Sequence, residues 1–421
     1  MDTRRQKAHE LANRANITFE DGCYSVPSQS GHGAYTVILD KDGVLCDCPD
    51  FDLRGEPGNP CKHIIAARLW RDRQARGVEQ DKSNVEPSPK PKRKTYPQQW
   101  VEYNAAQTNE GRHFQELLAD LCRTVEEPPH TGRGRKPVPL ADQVFAATMK
   151  VYTLFSARRF MSQLDEAAKR GYVSRAMHFN SVLKALENEA LTPILHRLIK
   201  LSSLPMRAIE TTFAPDSSGF CTSRFIRWFD IKYGVTREEA EWVKCHLITG
   251  TRTNIVTAVE ILDKYANDCP MFKPLVEKTA QGFTIREVVA DKGYLSEDNL
   301  ELIAGMGGTA YIPFKVNSTA EGGASVWDKM FLRFMLHRED FLKHYHQRSN
   351  VESTFSMIKR KFGDSVRSKT DVAQKNEVLC KVLASNVCVC ISAWYELGID
   401  PRFGEEETNK PRDVLPMMRF R

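Results

Sequence analysis

Along this chain the spacing of apolar positions changes from region to region, and each change marks an element. Tyr35 to Leu39 reads as a strand, Asp40 to Gly43 as a turn and Val44 to Cys48 as its return, and His63 to Arg73 reads as a short helix. Residues 79–98 break the pattern, because Pro, Ser and charge replace apolar positions, which is a linker composition. Near-helical periodicity then runs through Phe114–Val125, Leu140–Phe155, Ser156–Arg170 and Asn180–Leu201. From Ala208 the period shortens. Ala208–Ala214, Ile226–Tyr233, Trp242–Thr249 and Ile255–Leu262 are β-rich. Helix Met271–Thr279, strand Ile285–Ala290, helix Ser296–Ala304 and strand Thr309–Pro313 follow. A weakly patterned stretch, Lys315 to Lys329, precedes a helical tail from Lys343 to Leu397. Strands in succession followed by alternating helix and strand fit an α/β fold with a ribonuclease H-like core. No internal repeat is present.

The 421 residues allow two or three domains. The net charge of +6 is a mild excess that fits a nucleic-acid partner without establishing one. No unbroken run of eighteen apolar residues occurs, so no membrane span is expected, and Met1 to Lys7 has no apolar stretch behind it to make a signal peptide. This predicts a cytoplasmic protein. The eleven cysteines sit at irregular spacing, which favours free thiols and metal ligands over disulfides. Cys380, Cys388 and Cys390 lie in the apolar segment Val378–Trp394 and read as small core residues, with metal binding as the alternative. Two basic segments suit phosphate contact or a plain solvated surface. One is Lys90, Lys92, Arg93 and Lys94 in the linker; the other is the loop around Arg133, Arg135 and Lys136.

The segment from Tyr345 to Lys359 carries the most chemistry. On one helix at about 100° per residue, Tyr345, Arg348, Glu352 and Lys359 fall within a sector of about 60°. Val351, Phe355, Ile358 and Phe362 form a neighbouring apolar stripe. An ordinary amphipathic helix with a solvated charged face would look similar. Two more acids change the balance. Asp216 in Ala214-Pro-Asp-Ser-Ser-Gly and Asp291 in Val288-Val-Ala-Asp-Lys-Gly each follow apolar residues and precede a glycine-containing turn, which predicts strand ends at the rim of a sheet. Either aspartate alone would read as a turn residue. Three carboxylates can hold two divalent cations, and hard oxygen donors select magnesium or manganese.

The spacing of Tyr345, Arg348, Glu352 and Lys359 resembles the Tyr-Arg-Glu-Lys signature of insertion-sequence DDE transposases. Leu140-Ala-Asp-Gln-Val-Phe, Arg158-Arg-Phe, Asp216-Ser-Ser-Gly-Phe and Ala290-Asp-Lys-Gly-Tyr extend the resemblance over residues 130–395. It implies metal-dependent cleavage at transposon ends and strand transfer into double-stranded target DNA. Asp216, Asp291 and Glu352 would be the catalytic metal ligands. Tyr345, Arg348 and Lys359 would contact phosphates, and the protein would be a homodimer or larger assembly on DNA. Where many members carry Thr, this chain has Ser218. A transposase-derived DNA-binding regulator without chemistry is the alternative, and a nuclease without strand transfer shares the same metals.

Cys46-Asp-Cys48, a gap of twelve residues and Cys61-Lys-His63 form a second motif, able to close a tetrahedral zinc site. The pattern resembles the SWIM-type zinc finger. Four protein ligands leave no open position, so this zinc would be structural. The expected organisation is a zinc finger over 1–78, a basic linker over 79–98 and a helical DNA-binding region over 99–204. The catalytic domain would follow over 205–397, and a tail over 398–421.

Overall fold

The computed structural model describes residues 3–14, 16–20, 22–29, 33–39, 44–54, 60–75, 99–130, 133, 136–222, 242–320 and 322–403. The Asp40–Gly43 turn, the 79–98 linker, Arg135, the strand expected at Ile226–Tyr233 and the end of the tail lie outside them. The chain forms two compact units, Met1–Tyr96 and Pro97–Arg421.

The first unit is an antiparallel meander of β1 (Thr18–Glu20), β2 (Cys23–Pro27), β3 (Ala34–Leu39) and β4 (Val44–Cys46). Tyr24 faces Val37, and Val37 faces Cys46. Helix α1 (Thr3–Arg14) was not legible in the sequence; α2 (Pro49–Arg54) and α3 (Lys62–Ala75) follow the strands. The core is small, built around Ala8, Leu11, Val26, Val37, Ile64 and Ala67. A core of this size leaves much of the unit's stability to its metal.

The second unit opens with α4 (Trp100–Arg123), α5 (Leu140–Thr153), α6 (Ala157–Lys169), α7 (Phe179–Leu186) and α8 (Leu191–Ser203). The single helix expected over Asn180–Leu201 is two. Asn188 turns its Oδ1 onto the Ala190 amide at 3.1 Å, a local bond that competes with helix continuation.

The five-stranded sheet has the order β7-β6-β5-β8-β9. Its strands are β5 (Thr212–Cys221), β6 (Trp242–Gly250), β7 (Val256–Leu262), β8 (Glu287–Val289) and β9 (Thr309–Tyr311). β5, β6 and β7 are antiparallel neighbours, whereas β8 and β9 continue from β5 in parallel. This is the mixed α/β arrangement expected of a ribonuclease H-like core. Helices α9 (Phe272–Ala280) and α10 (Glu297–Gly305) connect its later strands. After β9 come α11 (Val326–Leu336), α12 (Arg338–Tyr345), α13 (Ser349–Phe362) and α14 (Asp371–Leu397).

α14 is apolar and long enough to cross a membrane by composition, but 89% of that stretch is buried inside the unit. Cys380 and Cys390 are buried along it, as core thiols. Its buried polar groups act as brackets. Asn386 Oδ1 accepts from the Val256 amide at 2.9 Å, and its Nδ2 donates to the Val256 carbonyl at 2.7 Å. Glu377 accepts from the Arg367 and Ser368 amides, and Lys381 donates to the carbonyls of Gly363 and Ser365. These bonds organise the turn at Gly363, whose φ of 85° ends α13, so the expected helical tail is interrupted there.

Candidate active site

Two sequence-based expectations about the acids need correction. Asp216 lies in the middle of β5, not at its end, because antiparallel pairing with β6 continues to the Cys221–Trp242 pair. The rim opens on the other edge of the strand. β8 pairs with β5 only at Thr212–Glu287 and Phe213–Val288. Thr251 donates to the Thr212 carbonyl, so even-numbered β5 residues exchange hydrogen bonds with β6 and the odd-numbered ones face β8. Pro215 faces β8 and has no N–H to offer, which accounts for the end of that ladder. Farther along, Cys221 exchanges backbone bonds with Asp364 and Val366. Between these two closures no strand among the described residues pairs with the outward edge of β5, and Asp216 sits in that opening. Asp291 follows β8 directly, exposed, with its Oδ1 accepting from the Lys292 amide at 2.8 Å.

The second correction concerns the signature segment. Tyr345 ends α12, Arg348 closes a 3-10 turn over His346–Arg348, and Glu352 and Lys359 lie on α13. The four therefore do not ride one regular α-helix, although the backbone stays right-handed helical throughout. Val351, Phe355, Ile358 and Phe362 are buried as the apolar stripe requires. This holds α13 on the face of the sheet that carries Asp216 and Ser218. Arg348 joins two acids, with Nη2 2.5 Å from Glu352 and Nη1 3.8 Å from Asp216. Its guanidinium also lies 5.9 Å from the Tyr345 ring centroid. Lys359 Nζ donates to Ser218 Oγ at 2.6 Å. Burial pushes the Lys359 amine below its ordinary range, against the opposing charge of Asp364.

Burial raises the Asp216 carboxyl above its ordinary range. The Ser217 amide and Arg348 oppose this, while the charges of Glu352 and Asp268 add to it. Carboxylates crowded in this way suit a cation. Among the described residues, however, Asp216, Asp291 and Glu352 do not bring their oxygens within 4.8 Å of one another.

The opposite face of the sheet carries groups that the sequence reading missed. Asp268 accepts from Ser217 Oγ at 2.8 Å and pairs with Lys244 Nζ at 2.7 Å. Burial works to raise the Asp268 carboxyl, but the Lys244 and Ser217 bonds prevail and hold it below its ordinary range. His246, fully buried, stands 3.5 Å from Asp268; burial, then the Lys244 charge, lower its ring below the ordinary range against Asp268 and Glu260. The Tyr294 hydroxyl is buried without a hydrogen bond. Burial, then the charges of Asp268, Asp216 and Asp291, push it up. Lys244 and His246 alternate within an otherwise apolar strand, and that period of two was the available signal. Asp268 sits in a loop and offered none. Arg133 and Lys136 are exposed, and no interaction among the described residues brings them to the acids.

In the first unit, Cys46, Cys48, Cys61 and His63 are all buried, with ligand atoms within 4.8 Å of one another. β4 delivers Cys46, the chain after it delivers Cys48, and the start of α3 delivers Cys61 and His63. Both ring nitrogens of His63 are buried without a hydrogen bond. A buried imidazole normally satisfies its nitrogens, so one aimed into three thiols fits a metal. The hydrogen bond from Cys46 lowers Cys61 to about 4, against burial and with help from His63, while Cys46 is raised.

The second unit is a mixed α/β sheet with acids and cations gathered around β5, and the first carries a Cys/His cluster that fits zinc. Residues 209–387 match the family of the transposase DDE domain, and residues 35–67 match the SWIM zinc finger. The chain thus carries a DDE transposase domain and an N-terminal SWIM finger. No curated protein and no solved structure gives a match.

Proposed function

We propose that this protein cuts double-stranded DNA at the ends of a mobile element and joins the freed 3′ ends to target DNA. The observation that supports this reading best is the link from Glu352 through Arg348 to Asp216, with Asp291 next to the same open edge. Asp216, Asp291 and Glu352 would hold two magnesium or manganese ions. When bound, such a pair would activate the attacking oxygen and stabilise the leaving oxygen. Arg348, beside Glu352 and Asp216, would hold a nonbridging phosphate oxygen. Tyr345 orients Arg348 from its ring face. Lys359, anchored on Ser218, sets a second positive charge along the same strand. Water attacks first and a DNA 3′-hydroxyl second, so no side chain serves as nucleophile.

The helices of 99–204 supply the DNA-binding surface, the zinc finger is structural, and the protein works in the cytoplasm as a homodimer or larger assembly on DNA. The test is cleavage of DNA carrying the element's flanking ends, with magnesium, by the parent and by Glu352→Ala. Nicks at the element boundary from the parent alone support the reading. Binding without cleavage in both magnesium and manganese would replace it with a regulator that has lost its chemistry.

A further inference from the structure

The turn between α5 and α6 carries features that the catalytic reading does not use. Leu154 closes α5 with φ 58°, a left-handed conformation that is strained for a residue with a Cβ. Asn254 is the other non-glycine residue with positive φ among the described residues. Strain of this kind persists where the surroundings enforce it, and it collects at working sites. Here the enforcement is visible: Arg367 Nη1 donates to the Leu154 carbonyl at 3.0 Å. The result is a tip on which two large apolar residues stand in water, Leu154 and Phe155, each 42% exposed. Ser156 caps α6 by accepting from the Arg159 amide. Arg158 and Arg159 follow, both exposed, and no acid pairs with either among the described residues. The Arg158 guanidinium lies 4.8 Å over the Phe179 ring, which restricts its side chain without neutralising it.

The tip is wired to the active site. Arg367 belongs to the 363–368 turn that ends α13, four residues after Lys359. The same turn exchanges backbone bonds with Cys221, at the end of the strand bearing Asp216 and Ser218. Exposed Arg367 and Lys369 continue the positive charge from that side. Apolar bulk flanked by unpaired arginines suits a polyanion with stackable faces, and not a second copy of this basic surface.

We infer that the Leu154–Arg159 tip is a DNA contact next to the cleavage site. Arg158 and Arg159 hold phosphates of the strand passing the Lys359 end of α13, and Phe155 packs on a sugar or base of that strand. This inference rests on the reading of the protein as a DNA-cutting transposase, but its test separates the two. A photo-crosslinking phenylalanine analogue is placed at position 155 in the full chain, and at Tyr265, an exposed residue in another loop, as the control. Each is irradiated with a 40-base-pair duplex of mixed sequence in buffer without magnesium or chelator, so that the finger keeps its zinc. Binding of the parent and of Arg158→Glu/Arg159→Glu is titrated over salt on the same duplex, with thermal melting to establish equal folding.

The expected results are crosslinking at 155 above the control and a log–log salt slope shallower by about 1.8, close to 0.9 per lost phosphate contact. A parent-like slope, or no crosslink above the control, overturns the inference. If the parent crosslinks at 155 yet cuts no element ends, the tip stands and the cleavage reading falls. If tip variants bind and cut as the parent does, the tip falls and the cleavage reading stands. A parent that binds no duplex overturns both.

Discussion

Asp216 and Asp291 share one register. The last pairs of the β5–β8 ladder set Thr212 against Glu287 and Phe213 against Val288, and the two aspartates stand at the same offset, three steps farther along. The ladder has ended by then, so the carboxylates flank an opening that no strand fills among the described residues. Both serve one ion pair in the proposed mechanism, so their losses should not add. Asp216→Asn, Asp291→Asn and the double variant are expected to fall to one floor, more than about 100-fold below the parent, the range that even outer partners of a metal reach. Single-turnover cleavage of an element end reads this. A double variant far below either single would mean separate roles.

Arg348 bridges two acids with a planar fork, which an ammonium cannot reproduce. Arg348→Lys should therefore resemble Arg348→Ala in cleavage rate, each down by about 10-fold or more, while melting temperature changes little. Rescue by lysine would reduce Arg348 to a point charge.

The first unit should bind one zinc per chain, and Cys61→Ser should lose it, as read by native mass spectrometry. Chelation should remove the melting transition of the first unit and leave that of the second, because the two have separate cores. Zinc affinity should weaken as pH falls, since the ligand thiolates must compete with protons.

Lys150 is buried on α5, and burial depresses its amine below the ordinary 10.5, with Glu377 only partly opposing. For a base the sign is clear: the unfolded chain binds the proton more tightly, so the penalty is full below the folded value and fades as pH rises to 10.5. Lys150→Met should stabilise the second unit by about 1–2 kcal/mol at neutral pH. The gain should shrink in alkaline melts; a gain independent of pH would point to packing instead.

Much of this was legible in advance because the signals were local. Trp242–Thr249 and Ile255–Leu262 are dense in β-forming residues, and both strands formed within a residue of their expected bounds. The cysteine and histidine spacing delivered four ligand atoms to one point. What escaped depended on partners distant in sequence. The extent of β5 is set by β6 and by the 364–366 turn, so Asp216 could not be seen as mid-strand. Asp268 meets Lys244 and Ser217 only after β7 has folded back. The break at Gly363 is held by Glu377 and Lys381 from the next helix, and no pattern within the tail records that.

The unpaired edge of β5 has one more consequence. Exposed strand edges invite other strands, and proteins usually blunt them with charge or short length. This one is shut at Phe213 by β8 and at Cys221 by the turn after α13. Pro215 withholds one donor, and Asp216 caps the next by accepting from the Ser217 amide. It is a window and not an edge. A foreign strand would need several matched donors and acceptors in sequence and finds them missing. A sugar–phosphate backbone needs only charge and a narrow path, so on the proposed function the same gap would take DNA and still be closed to aggregation.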